Sequence, residues 1–386
     1  MIAAEFINSP SGRLTLTIDN AMAFVPAALP PPEIHLGAMV GLIARATQSM
    51  GELSGIGRTL PNPMLVIRPF LRKEAVASSK IEGTVTTMSD LVLFEAGKSE
   101  REVSPDTIEV RNYVRALEDG IPMLEHLPVS SRLILELHRI LMSGVAHGRG
   151  AHIIPGEFKR DQNWIGARLI QNARFVPPPP REALECMSDL ERYIHSDDEH
   201  VPLIVKLALI HYQFETIHPF PDGNGRIGRL LIPLILAERK QMSHPLLYLS
   251  SYFEKNYDSY IDLMFDVSRH GAWRPWIEFF LEAVIASCAE GIKKAHALQD
   301  LHRDYLQRVQ TARSSALLGK LIDELFNIPA MTIRHAQKHL GISYNAAKNN
   351  IDRLVEVGIL RLDKRLGRPA WFLAVEIVAL SNRDEQ

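Results

Sequence analysis

Apolar residues recur at spacings of three and four along most of the chain, which is typical of amphipathic helices. The pattern predicts a mainly α protein. Helices are predicted before residue 310 at 35–53, 69–82, 88–96, 104–126, 130–143, 181–196, 202–214, 224 to about 240, 252–270 and 273–301. A short alternating stretch at 13–18 predicts one strand near the N-terminus.

Residues 144–180 interrupt the helical pattern. This segment holds many glycines, then strand-like pieces at 163–165 and 168–176, then four consecutive prolines at 177–180. Such pieces followed by a proline run predict a small β-hairpin that leads into a stiff turn. We call residues 155–180 the flap.

The chain from about residue 317 resembles a separate section. Helical patterns at 317–326, 332–340 and 343–357 precede strand-like pieces at 359–362 and 370–375, which flank the tight segment DKRLGRP. Three helices followed by strand, wing and strand is the order of a winged helix-turn-helix domain. We therefore expect an N-terminal region over 1–110, a central core over 111–300 and a winged-helix domain over 311–386.

The composition is that of an ordinary globular protein, with 46% hydrophobic residues, 23% charged residues and a formal net charge of -2. This balance gives no reason to expect nucleic acid or a membrane as a partner of the whole chain. Two cysteines without a CxxC pair indicate a reducing compartment, and the longest apolar run, 230–237, is too short to span a membrane. With no signal-peptide pattern at the N-terminus, we expect a cytoplasmic protein.

The segment HPFPDGNGRIGR, residues 218–229, carries the most chemistry. Gly223 and Gly225 flank Asn224 where a helix is predicted to begin. Small residues there leave the first backbone N–H groups open, and the helix dipole favours an anion. The side-chain amide of Asn224 adds a further donor.

Charged groups surround this helix start. Arg226 and Arg229 are three residues apart, so they share a helix face and can contact more than one phosphate. Asp222 is a hard oxygen ligand that suits Mg²⁺, and His218 can accept a proton near neutral pH. A base, a metal ligand, an anion site and two cations are what phosphoryl or nucleotidyl transfer requires.

The same segment resembles the HPFxDGNGRxxR motif of the Fic family at every defined position. GEFKRDQNWIG at 156–166 and FVPPPP at 175–180 resemble the family's flap, which holds the target segment. A Walker A loop is not present in the sequence. The resemblance covers roughly residues 30–300 and implies a Fic-type helical bundle. It also implies transfer of AMP from Mg-ATP to a Ser, Thr or Tyr hydroxyl of a target protein or of the chain itself.

The resemblance implies a role for each motif residue. His218 would be the general base, Asp222 would hold Mg²⁺, and Asn224 with the first helix amides would stabilise the α-phosphate. Arg226 would contact the β-phosphate and Arg229 the γ-phosphate. His218, Asn224 and Arg226 are thus the expected catalytic residues. The expected ATP-binding residues are Glu82, Gly223, Asn224, Gly225, Arg226, Ile227, Gly228, Arg229, Tyr260 and Ile261.

A second segment, Ser78-Ser-Lys-Ile-Glu82-Gly83, resembles the inhibitory (S/T)xxxE(G/N) motif of the same family. Glu82 lies four residues after Ser78 on one helix face, and Gly83 is a natural helix stop. A glutamate in a last helical turn faces the negative end of the dipole and needs a cation. By resemblance that cation is Arg229, and the pairing would block the γ-phosphate. The simpler alternative is a solvated surface glutamate or one paired with a neighbouring basic residue.

Weaker signals concern three places. His211 is expected to be a packed core histidine, and no cluster of His and Cys in the sequence suggests zinc. Tyr260 and Ile261 are candidates for the adenine pocket, since the family uses this region for it. Ile165 and Gly166 of the flap are expected to position the target by strand-like backbone pairing.

The C-terminal section is mildly basic. Residues 311–386 hold 11 Lys and Arg against 8 Asp and Glu, a net charge of +3. Candidate DNA contacts open the third helix and occupy the wing: Tyr344, Asn345, Lys348, Asn349, Lys364, Arg365 and Arg368. The modest charge favours a protein-contact or homodimer module over DNA binding.

Two other functions stay open. Glu82 could position a water molecule for removal of AMP from a modified protein. Alternatively, the chain could be a winged-helix DNA-binding regulator whose core only senses nucleotide. The intact His218 favours an enzyme, because a sensor does not need a base there.

Overall fold

The structure, a computed structural model, describes residues 1–59, 62–145, 153–197, 200–310, 316–363 and 368–382. The described residues are mainly helical, as predicted. The helices are α1 (Val40–Thr59), α2 (Met64–Ile81), α3 (Met88–Glu95), α4 (Pro105–Met123), α5 (Ser131–Leu141), α6 (Pro180–His195), α7 (Leu203–Ile217), α8 (Asn224–Glu238), α9 (Ser250–Lys255), α10 (Tyr257–His270), α11 (Trp273–Val309), α12 (Ala316–Asn327), α13 (Ile333–Leu340), α14 (Tyr344–Glu356) and α15 (Val375–Asn382). The strands are β1 (Gly12–Leu16), β2 (Met22–Pro26), β3 (Ala330–Met331), β4 (Arg361–Asp363) and β5 (Trp371–Leu373).

Helices α7 and α8 form the centre of the molecule. Most residues of both helices are buried, because apolar side chains cover several sides of each helix. Residues 218–223, which we call the motif loop, join the end of α7 to the start of α8. Helices α2, α4, α5, α6 and α11 each pack against one of the two. The motif loop is therefore held by a rigid helical frame.

Helix α4, which packs beside α8, begins where its capping residue predicts. Ser104 accepts a hydrogen bond from the backbone N–H of Thr107, and Pro105 occupies the first helical position. A hydroxyl at this place satisfies one of the N–H groups that a helix start leaves unpaired. The following helix, α5, begins in the same way, with Ser130 accepting from Leu133.

The flap differs from the predicted β-hairpin. One antiparallel bridge joins Ile165 to Phe175, and a short 3₁₀ turn occupies Ile170–Asn172. The predicted strand over 168–176 was wrong because its apolar residues pack against the antiparallel β1–β2 hairpin instead of pairing along the flap. The backbone N–H of Phe24 in β2 donates to the carbonyl of Val176 at 2.9 Å.

Several other boundaries differ from the predictions. Helix α2 begins at Met64, five residues before the predicted start, and carries Pro69 inside it. The single helix predicted over 252–270 is two helices, because the backbone at Asn256 leaves the helical region between α9 and α10. Strands β2 and β3 and helix α15 were not predicted.

The C-terminal section, α12 to α15, contains a three-stranded antiparallel sheet in the order β3-β5-β4. Helices α12 and α15 pack against α2 and α11, and one hydrophobic core runs through all four helices. Arg72 of α2 is buried, pairs with Glu95 at 2.6 Å and donates to the carbonyl of Asn327.

The described surface of this section adds no support for DNA as a partner. Lys348 on α14 pairs with Asp352 at 2.5 Å, and Arg353 pairs with Glu356 at 3.0 Å. Lys364 and Arg365 lie outside the described residues. Within the described ranges, no helix has both the length and the apolar character needed to cross a membrane.

Candidate active site

A cavity of about 800 Å³, partly open to solvent, lies where the motif loop, α8, α10, the flap and the end of α2 meet. Its polar and charged lining includes Glu82, Glu215, His218 and Arg229, beside Gly225. Its apolar and aromatic lining consists of Ile81, Ile165, Phe175, Tyr257, Tyr260, Ile261, Met264 and Phe265. The fold thus brings the motif, Glu82 and the flap to one place.

His218 ends α7 in the left-handed region, with φ 49° and ψ 58°. Its Nδ1 lies 3.2 Å from the carbonyl oxygen of Glu215. Because a carbonyl only accepts, this contact requires the proton on Nδ1 and leaves the lone pair on Nε2. Burial and the charge of Lys159 lower the pKa of His218 to about 4. The imidazole is therefore neutral at pH 7 and able to accept a proton.

Internal hydrogen bonds shape the motif loop. The side chain of Asn224 accepts from the N–H of Phe220 at 2.7 Å and donates to its carbonyl at 2.8 Å. His138 stacks on the buried Phe220 ring with centroids 3.8 Å apart. Asn224 thus holds the loop through its oxygen and one of its two side-chain N–H groups. The available anion donors are the first N–H groups of α8, which have no partner within the helix.

Asp222 lies in the motif loop, two residues before α8 begins. Its Oδ1 accepts from the N–H of Gly223 at 2.6 Å and lies 3.5 Å from Nη2 of Arg226. Among the described residues, no group of three or more His, Cys, Asp or Glu side chains is arranged to hold a metal alone. Mg²⁺ commonly takes only one or two carboxylates and completes its shell with water and substrate phosphates. Asp222 therefore fits Mg²⁺ that arrives with a nucleotide.

The guanidinium of Arg226 is fully buried and pairs with Glu109 of α4, with 2.9 Å between Nη1 and Oε2. The same oxygen of Glu109 accepts from the hydroxyl of Thr84 at 3.1 Å. Sequence reasoning missed Glu109, which carries no signal beyond its place on an amphipathic helix.

Two residues of the predicted inhibitory segment, Ser78 and Glu82, bind Arg229. Its Nε donates to Ser78 Oγ at 2.8 Å, and its Nη2 donates to Glu82 Oε1 at 2.7 Å. Burial would raise the pKa of the Glu82 carboxyl, but the charge of Arg229 and its hydrogen bond outweigh burial and hold that pKa below its usual range. Both groups are therefore charged at neutral pH.

Gly225 shows how closely Glu82 approaches α8. A Cβ built on Gly225 would lie 2.0 Å from Oε1 of Glu82 and 2.9 Å from Nη1 of Arg229. The carboxylate thus occupies the place at the helix N-terminus where an anion is favoured. Gly83, which follows Glu82, has φ 80° and ends the segment in the left-handed region.

Tyr260 and Ile261 both line the cavity, as expected of adenine-pocket residues. The Tyr260 hydroxyl lies 2.8 Å from Nε2 of His211, whose Nδ1 lies 3.2 Å from the carbonyl of Gly228. Burial lowers the pKa of His211 to about 3, so this histidine is a neutral core residue, as expected.

Glu215 is a cavity residue that sequence reasoning missed. Its Oε1 is buried and has no hydrogen-bond partner among the described residues. A Cβ on Gly228 would lie 2.3 Å from this atom, so the glycine makes room for the carboxyl. Burial raises the pKa of Glu215 to about 8. The carboxyl is therefore mainly protonated at neutral pH and can donate a hydrogen bond into the cavity.

The two flap residues expected to position the target have different places. Ile165 lines the cavity and forms the bridge to Phe175. Gly166 has φ 86°, and a Cβ there would lie 2.9 Å from Cβ of Arg174, so it forms a tight turn beside the cavity.

Comparison with known proteins gives one family. The family model named Fic/DOC family N-terminal matches residues 40–122, and the Fic/DOC family model matches residues 128–236. Proteins named protein adenylyltransferase Fic are 28% identical over 202 residues in Drosophila grimshawi and 29% identical over 192 residues in Drosophila melanogaster. These matches cover 52% and 49% of this chain but only 37% and 34% of the two relatives.

Solved structures show the same fold. A Fic family protein from Desulfovibrio desulfuricans G20 aligns with a TM-score of 0.56 at 21% identity, covering 93% of this chain and 100% of its own. A Fic domain containing signaling protein from Bacteroides thetaiotaomicron aligns with a TM-score of 0.53 at 22% identity, covering 66% of this chain and 97% of its own.

Proposed function

The chain belongs to the Fic/DOC family, and from that membership and the site we propose that it transfers AMP from Mg-ATP to a hydroxyl of a target protein. The proposal rests on one observation: His218, whose Nδ1 lies against the Glu215 carbonyl and whose Nε2 keeps its lone pair, lines the same cavity as Gly225 at the start of α8 and Arg229. A proton acceptor beside a phosphate-binding helix start is the arrangement that nucleotidyl transfer to an alcohol needs.

The transfer has a simple balance of atoms. His218 Nε2 takes the proton of a Ser, Thr or Tyr hydroxyl as its oxygen attacks the α-phosphorus. The bond from the α-phosphorus to the bridging oxygen breaks, and pyrophosphate leaves. The first N–H groups of α8 would stabilise the charge that builds on the phosphates, and the family resemblance assigns Arg226 to the β-phosphate. Mg²⁺ held by Asp222 would neutralise part of that charge.

The same proposal includes autoinhibition. The carboxylate of Glu82 lies against Gly225 and pairs with Arg229 at 2.7 Å. A γ-phosphate that needs Arg229 must compete with this intramolecular anion. ATP then binds without its full set of contacts, so the resting protein transfers AMP slowly.

Labelled ATP tests the reaction. Cell lysate is incubated with the Glu82→Gly protein and ATP labelled at the α-phosphate, and in parallel at the γ-phosphate. We expect label from the α-position alone. We also expect an AMP mass increment on a hydroxyl residue of a specific protein. Incorporation from the γ-position above the level in lysate without the added protein would show phosphate transfer and refute the proposal. Equal labelling by wild type and Glu82→Gly would refute the autoinhibition.

Removal of AMP is a second candidate, favoured by the position of Glu82. Its carboxylate lines the same cavity as His218, where a water molecule could be oriented for attack on a phosphodiester. The test incubates an AMP-modified target with wild type and with Glu82→Gly. Loss of AMP with wild type alone would support this reaction, and no loss with either would exclude it.

A further inference from the structure

Two flap residues contact the backbone around His218. Nδ2 of Asn163 donates to the carbonyl of His218 at 3.0 Å and to the carbonyl of Phe220 at 2.9 Å. Oδ1 of Asn163 accepts from Nζ of Lys159 at 2.7 Å. Both donor hydrogens and the acceptor of this one amide are thus engaged.

Lys159 adds direct bonds to the same backbone. Its backbone N–H donates to the carbonyl of Pro219 at 2.8 Å, and its side-chain Nζ lies 3.4 Å from the carbonyl of Ile217. The lysine is almost completely buried. A buried ammonium needs such partners, so its side chain is fixed in one position. Lys159 and Asn163 together therefore connect the flap to four consecutive residues at the end of α7.

The backbone of His218 needs this support. A non-glycine residue at φ 49° lies in a sparsely populated, strained region and persists only where its surroundings hold it there. The left-handed conformation turns the chain out of α7 and directs Nδ1 back to Glu215. Nε2 is then left for the cavity. A relaxed backbone would move the imidazole and release the bond that fixes its tautomer.

We propose that Asn163, oriented by Lys159, is the positioning residue for His218, and that it fixes the base and the target-guiding part of the flap in one unit. This inference rests on the proposed AMP transfer. Ile165, two residues after Asn163, lines the cavity and pairs with Phe175. The amide of Asn163 thus sets the distance between the proton acceptor and the backbone that would hold the target hydroxyl.

The charges facing His218 agree with this arrangement. Burial and the ammonium of Lys159 lower the pKa of His218, whereas the carboxylates of Glu82 and Asp222 raise it. Burial also lowers the pKa of Lys159, to about 7. Lys159 therefore has two effects: it orients Asn163, and it favours the neutral imidazole that acts as a base.

The test compares Asn163→Ala with Gln162→Ala, both in the Glu82→Gly protein. Gln162 is the matched control, because its amide donates only to the flap carbonyls of Asn163 and Pro177, at 2.9 and 3.0 Å. Misplacement of a reacting group by about 1 Å can reduce a rate about 100-fold. We expect kcat of Asn163→Ala to fall by about that factor while KM for ATP stays the same. Unchanged kcat, or an equal fall in Gln162→Ala, would overturn the proposal.

A second measurement does not depend on AMP transfer. Imidazole nitrogen NMR, with His218 assigned by its loss in His218→Ala, reports which ring nitrogen carries the proton. The Nδ1-protonated form is expected in the parent and in Gln162→Ala, and a mixture of both tautomers in Asn163→Ala. If no protein form transfers AMP but this pattern holds, only the proposed function fails. If His218 is unaffected, the positioning role fails.

The isosteric variant Asn163→Asp covers the case in which Asn163→Ala does not fold. It keeps an acceptor for Lys159 but presents an oxygen to the two carbonyls, so the same loss of kcat and the same tautomer mixture are expected. Thermal melting of each variant identifies the folded forms. Full activity in a folded Asn163→Asp protein would also contradict the proposal.

Discussion

Two ion pairs hold the two arginines of α8 in different ways. Arg229 is paired with Glu82, which follows the last residue of α2, precedes a left-handed glycine and is 30% exposed. Arg226 is paired with Glu109, which lies inside α4 and is 13% exposed. Both arginine side chains are buried.

The difference separates a removable contact from a permanent one. Glu82 stands at a chain turn, so a small backbone rotation can withdraw its carboxylate from Arg229. Glu109 is fixed within a helix whose whole face is packed, and moving it would disturb the core. We infer that the Glu82 pair regulates the site and that the Glu109 pair builds it.

The largest expected effect comes from removing the base after the Glu82 pair is broken. Glu82→Gly should activate the protein, and adding His218→Ala should lower its AMP transfer by about 10²- to 10⁴-fold, the usual contribution of a general base. The measurement is incorporation of α-labelled AMP at saturating ATP. Substantial activity in the double variant would place the gained activity at another site.

Breaking the Glu109 pair should weaken AMP transfer, whereas breaking the Glu82 pair should increase it. In the Glu82→Gly protein, Glu109→Gln should raise KM for ATP about tenfold or more, because a charged hydrogen bond to Arg226 is worth about 1.5–3 kcal/mol. Steady-state kinetics measure this change.

The control for this change is Glu118→Gln on the same helix. Glu118 pairs with Arg68, with 2.7 Å between the charged atoms, and neither residue lines the cavity. If Glu109→Gln activates the protein instead, the two pairs have the same role and the distinction fails.

The pH dependence tests a further difference, since Glu82 also acts on His218. The pKa of His218 is lowered to about 4, and removing the Glu82 carboxylate takes away an influence that raises it. A base with a lowered pKa stays active as the pH falls through 6.5, so kcat/KM of Glu82→Gly should be flat from about pH 6.5 to about pH 5, below the pKa values of about 8 for Glu215 and about 7 for Lys159. Tryptophan fluorescence in the same buffers separates unfolding from loss of the base. A decline centred near the ordinary histidine value would contradict this.

The smallest expected effect concerns the buried hydroxyl beside Arg229. Tyr260→Phe removes the partner of His211 Nε2 and should lower the free energy of unfolding by about 1–3 kcal/mol, since a buried polar group is left unpaired. Urea denaturation measures it. Tyr257→Phe is the control, because that side chain is exposed. Equal stability of both variants would show that the His211 bond contributes nothing.

The sequence identified the parts of the site that are adjacent along the chain. His218, Asp222, Arg226 and Arg229 could be predicted because a loop and one helical turn fix their spacing. Glu109 could not, since it lies 117 residues before Arg226 and only the packing of α4 on α8 brings them together. The use of the Asn224 side chain within the loop could not be predicted either, because a sequence shows a donor but not the backbone carbonyl that uses it.

The predicted helices agree with the structure where capping residues and long apolar faces mark them, as in α4 and α5. The flap did not, because alternation predicts a strand only if a partner strand is present. Ile170 faces the N-terminal hairpin instead. Helix α2 begins five residues before the predicted start at Pro69, because this proline lies inside the helix.

The contact between Arg72 and Asn327 bears on how this protein can be shortened. Helix α2 is shared: its last turn presents Glu82 to the cavity, and its middle is covered by α12 and α15. Deleting the chain beyond residue 310 would strip that cover and expose apolar surface on α2 to water. Such a truncated protein would be shorter, and it would also hold Glu82 less firmly against Arg229.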